Sequence, residues 1–169
     1  LGQCATLQEF EAWIDTYPQP WGVEANFGII DAQGGAAYYE INNHRWIKYD
    51  VNEEANGYRV VTNFSFAGRR EDYEGWERYQ TASAIMKEAF SREREFSAID
   101  AINLFSRKYR HEVLGVNYYQ ENAPQYIVDQ DYIPRRITSA VICFQGVNAG
   151  SDPKYSVMWS VLGYPACAV

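Results

Sequence analysis

The run Asn26-Phe-Gly-Ile-Ile-Asp31-Ala-Gln-Gly-Gly35-Ala-Ala-Tyr-Tyr-Glu40-Ile41 continues through Trp46-Ile-Lys-Tyr49 to Tyr58-Arg-Val-Val-Thr62-Asn63-Phe64, and it decides how the chain is read. Short apolar runs are each closed by turn chemistry. Asp31 to Gly35 is a polar tip with two glycines that can take positive φ, so the flanking runs are expected to form a hairpin. Asn56-Gly57 punctuates a second one. The pattern predicts three or four adjacent antiparallel strands, the last ending on Thr62-Asn63. A strand is a stiff mount, and an Asn at its tip offers an uncharged N–H donor. Such a donor suits an oxyanion hole, where negative charge develops during attack on a carbonyl. The plainer alternative is that Asn63 only ends a strand and turns the chain.

Outward from this stretch, Thr6-Leu-Gln-Glu9 reads as a capping box, with Leu7, Phe10 and Ile14 on one apolar helical face and Pro18 and Pro20 stopping the helix. Cys4, just before the cap, suits a small apolar contact. Gly68 to Gly75 is polar and expected to be an exposed loop. Trp76, Tyr79, Ser83, Met86 and Phe90 alternate spacings of three and four, predicting a second helix with these residues on one face. Arg78 lies in its first turn, where a cation opposes the helix dipole and so calls for another reason. A surface arginine is the alternative.

Ser97-Ala-Ile-Asp100 predicts another helix start, with Ile99, Ile102, Phe105 and Tyr109 as one stripe. That helix is expected to run to about Arg110, and the cluster from Arg107 to His111 reads as its solvated end. Tyr126–Asp129, Ile137–Gln145 and Tyr155–Leu162 read as strands. The second of them is apolar on both faces and is expected to lie between layers. Helices segregated from antiparallel strands indicate an α+β layered domain, a single domain over 1–169.

Composition narrows the function classes. The 169 residues suffice for one domain with a sizeable core. With 22 acidic and 15 basic residues the net charge is −7, which disfavours nucleic acid and anionic membrane surfaces as partners. No apolar run approaches the roughly 20 residues of a membrane helix. Cys4, Cys143 and Cys167 lack metal-type spacing, and an odd count leaves one unpaired within the chain. His44 and His111 show no ligand spacing. No cofactor or metal is implied. The 14 Tyr, 8 Phe and 5 Trp could form a core, a ligand groove or a packing face.

Taken together, the stretch from Asn26 to Glu40, Val61-Thr62-Asn63-Phe64, Thr138-Ser-Ala-Val-Ile-Cys-Phe144 and Met158-Trp-Ser-Val-Leu-Gly-Tyr-Pro165 resemble the choloylglycine hydrolase and penicillin acyltransferase families of N-terminal-nucleophile (Ntn) hydrolases. The nearest likeness is to the acyl-coenzyme A:6-aminopenicillanic acid acyltransferase-like branch. The resemblance implies a four-layer αββα sandwich and cleavage or transfer of a linear amide. The family nucleophile is a processed N-terminal Cys whose own α-amino group is the base. The Thr-Asn pair of the family matches Thr62-Asn63, which makes Asn63 an oxyanion donor. Arg78 matches the family's Arg near the start of the next helix, an electrostatic stabiliser.

The chain departs from the pattern at two places. Leu1 is no nucleophile, and in the family the Cys lies well upstream of everything seen here. The resemblance therefore implies the C-terminal portion of a larger domain, partnered by a missing N-terminal segment or a companion chain that carries the nucleophile, with a small-molecule amide as substrate. Glu77 stands where a Ser is usual, which bears on substrate class. Related bacterial proteins are often exported, which implies a periplasmic or secreted setting. Two other readings stand beside this one. The first is a non-catalytic module binding a sugar or apolar ligand through Trp21, Trp46 and Tyr118-Tyr119. The second is a nucleophile–base pair of Cys4 with His44 or His111.

Overall fold

A computed structural model describes residues 2–69, 74–92, 95–118 and 124–168. It is mixed α+β, with three helices and small antiparallel sheets. The chain divides into two compact units, Leu1–Arg70 with Gly146–Val157, and Glu71–Gln145 with Met158–Val169.

In the first unit, helix α1 spans Leu7–Thr16. Thr6 caps it by accepting the Glu9 backbone N–H at 3.1 Å. The Glu9 carboxylate reaches back to the Ala5 N–H at 2.7 Å, one residue earlier than a strict capping box. Strands β1 (Ala25–Ile30), β2 (Ala36–Ile41) and β3 (Trp46–Asp50) form a three-stranded antiparallel sheet in that order. The first hairpin closes as its glycines predict, with Asp31 N–H donating to the Gly35 carbonyl and Gly34 at φ 85°. Asp31 ties the tip to the helix, because its carboxylate accepts the N–H groups of Leu7, Gln33 and Gly35. A Cβ on Gly35 would stand 2.6 Å from Asp31 Oδ2, so only glycine fits.

Side-chain alternation gives the sheet two working faces. Ala37, Tyr39 and Ile41 face α1 and bury against Leu7, Phe10 and Ile14, with Cys4, Phe27, Ile29 and Trp46 packed around them. Tyr39 is wholly enclosed and donates its hydroxyl to Glu11 at 2.7 Å; burial and that carboxylate push its pKa up. The other face carries Asn26, Glu40 and Ile47 in one cross-strand row.

Among the described residues no fourth strand joins this sheet. After β3 the chain makes a short helical turn at Val51–Glu53, turns through Gly57, and runs from Tyr58 to Phe64 without strand pairing. The alternation suits a strand, but the carbonyls of Thr62 and Phe64 are taken by the Asn26 side chain of the far face and not by a neighbouring strand.

In the second unit, α2 (Trp76–Phe90) and α3 (Ala98–Ser106) are joined by close contacts. The buried face of α2 is Thr81, Ala82, Ile85 and Ala89, whereas Trp76 and Phe90 are exposed. The buried face is thus a different one from the expected stripe of Trp76, Tyr79, Ser83, Met86 and Phe90, and it packs near β4. Ser97 and Asp100 complete a capping box at α3. That helix stops at Ser106, short of Arg110, and Ile99 on its expected stripe is exposed.

The basic cluster is not a solvated helix end. Arg110–His111 is strand β4, paired antiparallel with β5 (Val116–Asn117). Arg110 bridges Glu88 of α2 at 2.6 Å and Glu112 at 2.7 Å. His111 is buried edge-on to Tyr132, its Nδ1 accepting the Leu114 N–H.

Tyr126–Asp129 forms no strand. Among the described residues no strand pairs with it, and Tyr126 and Val128 are largely exposed. Strands β6 (Ala140–Gln145) and β7 (Val157–Leu162) pair, and Gly163 N–H donates to Ser139 at 2.8 Å. Helix α3 covers one face of β6, while Ile142 and Phe144 on the other face are exposed, so this strand is not enclosed between layers among the described residues.

Candidate functional site

The far face of the first unit's sheet is where Asn63 is mounted. Asn26 and Glu40 oppose each other in register on β1 and β2, so their side chains emerge side by side. Asn26 Nδ2 donates to the carbonyls of Thr62 (3.3 Å) and Phe64 (3.0 Å), the two residues that flank Asn63. Its Oδ1 accepts the Ser65 hydroxyl at 3.3 Å. The Glu40 carboxylate accepts the backbone N–H groups of Phe66 and Ala67 and, at 3.3 Å, the hydroxyl of Tyr49. Glu40 is only 7 % exposed, and a buried carboxylate is tolerated only when donors surround it in this way.

Apolar contacts reinforce the clamp. Phe64 is buried beneath the segment and meets Phe66 edge to face at 5.2 Å. The Arg59 guanidinium lies 4.0 Å over the Tyr49 ring while pairing with Glu54 at 2.8 Å. Asn63 itself is exposed on this anchored backbone. A cavity of about 120 Å³ with a mixed lining, bordered by Glu40, Arg45, Ile47, Ser65 and Ala67, opens beside the segment. It has room for roughly a few waters and no more than a small group.

Arg78 belongs to the second unit, so the two residues expected to act together are described each within its own unit. Gly75 takes φ 86° at the N-cap of α2 and supplies no side-chain cap; its carbonyl accepts the Tyr79 N–H. Trp76 stacks on Tyr79 at 5.2 Å. Burial lowers the Arg78 pKa and the like charge of Arg135 lowers it further, against Glu74, Asp131 and Glu77. A guanidinium keeps its proton at neutral pH all the same. Arg78 is therefore a half-buried cation, which acts more strongly on nearby charge than a fully exposed one.

The three cysteines are unpaired thiols. Cys143 is half-buried and burial pushes its thiol pKa up, which makes it a poor nucleophile. Cys4 packs against the first unit's core and His44 is exposed on the β2–β3 turn. Among the described residues, no three His, Cys, Asp or Glu side chains converge on a metal-sized site. Trp21 and Trp46 pack against the core and spend their indole N–H groups on Tyr17 and Asp15. Tyr118 is half-buried and stacks on Tyr132, and Tyr119 lies outside the described residues.

Sequence reasoning missed Asn26 and Glu40, although a signal was present. The hairpin tip fixes the register, and that register sets two polar residues opposite each other. Compared with known proteins, the chain matches no family model, no curated protein and no solved structure.

Proposed function

We propose that this chain is the C-terminal part of an Ntn-type hydrolase or acyltransferase acting on linear amides. In this reading the two units are pieces of a four-layer αββα sandwich, and an N-terminal Cys outside this chain is the attacking group. Its thiolate adds to the amide carbonyl, the C–N bond breaks with a proton passing to the leaving amine, and water or an acceptor amine resolves the acyl-enzyme. Asn63 donates an N–H to the oxyanion, and Arg78 has the role of an electrostatic stabiliser. The observation that supports the reading best is the double clamp on the Asn63 backbone. An oxyanion donor is effective only if it is held in place before the charge forms; Asn26 holds the carbonyls on both sides of residue 63, and Glu40 holds the N–H groups of Phe66 and Ala67 just beyond.

The test is covalent labelling during turnover of a chromogenic N-acyl anilide by every polypeptide that copurifies with this chain. Intact mass and peptide mapping would then locate the acyl group or an iodoacetamide adduct that blocks turnover. The expected site is an N-terminal Cys on a companion or longer polypeptide. Turnover blocked by labelling of Cys4, Cys143 or Cys167 would refute an external nucleophile.

A further inference from the structure

We infer that the first unit carries a separate binding site for a small neutral ring compound, in the aromatic cavity between α1 and the sheet. The cavity encloses about 220 Å³. Its floor is Phe10, Ile14 and Ile41, all nearly inaccessible to solvent. Its mouth is formed by Trp13, Tyr17 and Val23, each more than a third exposed. Trp21 and Phe27 complete the walls, so aromatic side chains border the cavity on several sides. Trp13 and Tyr17 hold each other at 4.8 Å between ring centroids, and Phe10 stacks on Trp13 at 6.4 Å. The walls are therefore set by packing before any ligand arrives.

Chemistry narrows the ligand. None of the lining residues is charged. The Trp21 indole N–H is already donated to the Tyr17 carbonyl, so it offers a ligand nothing. The carboxylates of α1 are committed elsewhere: Glu9 to the helix cap, Glu11 to Tyr39 and Lys48, Asp15 to Trp46. A sugar would lose most of its hydrogen bonds against this mainly apolar lining, and a cation would find no directed carboxylate. What fits is a flat apolar body of about six to ten heavy atoms; dry cavities of about 150 Å³ already accept benzene. The cavity also lies across the sheet from Asn63. Phe27 and Ile41 project to the α1 face, and Asn26 and Glu40 to the opposite one. The site is thus independent of the amide chemistry proposed above.

Titration of the intact protein with toluene, followed by the indole N–H resonances of Trp13 and Trp21, tests this directly. Saturable shifts are expected with a dissociation constant on the order of 0.1–1 mM. The melting temperature should rise by roughly 3–6 °C at about tenfold excess over that constant. Val23→Trp, a change at the exposed mouth, should fill the space and weaken binding at least about tenfold. If that variant does not fold, Trp13→Ala, which removes one wall, decides in its place. Non-saturating shifts, undiminished binding in the variant, or equal response to tetramethylammonium or glucose would each overturn the proposal.

Discussion

Glu40 shows how much one side chain can organise. Its two oxygens accept two backbone N–H groups and a tyrosine hydroxyl in a nearly solvent-free position. Glu40→Gln keeps the shape but turns an amide N–H₂ toward those donors. It should cost about 1.5–3 kcal/mol in urea denaturation and speed exchange of the Phe66 and Ala67 amides. A loss below about 0.5 kcal/mol would show that the clamp is not made. Asp31 acts similarly at the hairpin tip. Burial raises its pKa, but the N–H groups of Gly35, Leu7 and Gln33, together with Lys48, more than offset this and hold it below the usual carboxylate range. A depressed folded pKa means that the unfolded chain takes up the proton first. The stabilisation is thus complete above about pH 4 and fades as pH falls through the folded value. The stability gap between the protein and Asp31→Asn should shrink on acidification below about pH 4; a gap independent of pH would contradict this account.

At the scale of elements, legibility followed locality. The hairpin at Asp31–Gly35 and the caps at Thr6 and Ser97 depend on residues within a few positions of one another; the hairpin and the Ser97 box form as read, and Thr6 caps its helix with Glu9 reaching one residue further back. The segment from Tyr58 to Phe64 was misread because alternation reports a pleated surface, not the presence of a free edge to join. Its carbonyls at Thr62 and Phe64 are held by Asn26, a side chain more than thirty residues away. Arg107 to His111 failed for a similar reason: a basic helix end and a short strand gripped by carboxylates have the same local composition. The grip can be measured. Arg110→Ala removes a forked contact with Glu88 and the pairing with Glu112 that tie α2 to β4. Both carboxylates are partly exposed, so the expected loss is modest, about 0.5–1.5 kcal/mol, and it should be smaller in 1 M salt. A loss unchanged by salt would assign the effect to packing of the arginine stem.

For the whole molecule, the α+β class was legible because helices and strands alternate too little for a parallel sheet. The candidate site was legible only in part. Asn63 could be singled out as a donor at the end of a patterned stretch, but what anchors it lay in the register of another hairpin. Arg78 could be singled out by its awkward place at a helix start, and its burial beside Arg135 is a tertiary property that no local pattern encodes. The apolar aromatics divide between an enclosed core, an open cavity and the exposed face of β6, three fates that composition alone does not distinguish. The central claim is that Asn63 stabilises an oxyanion during cleavage of a linear amide. Its most direct test is kcat for an N-acyl anilide, measured on the complete purified protein and on Asn63→Ala. The account predicts a fall in kcat of roughly 10²–10³ with KM little changed. Unchanged turnover in the variant, or no amide cleavage by the complete protein, would contradict it.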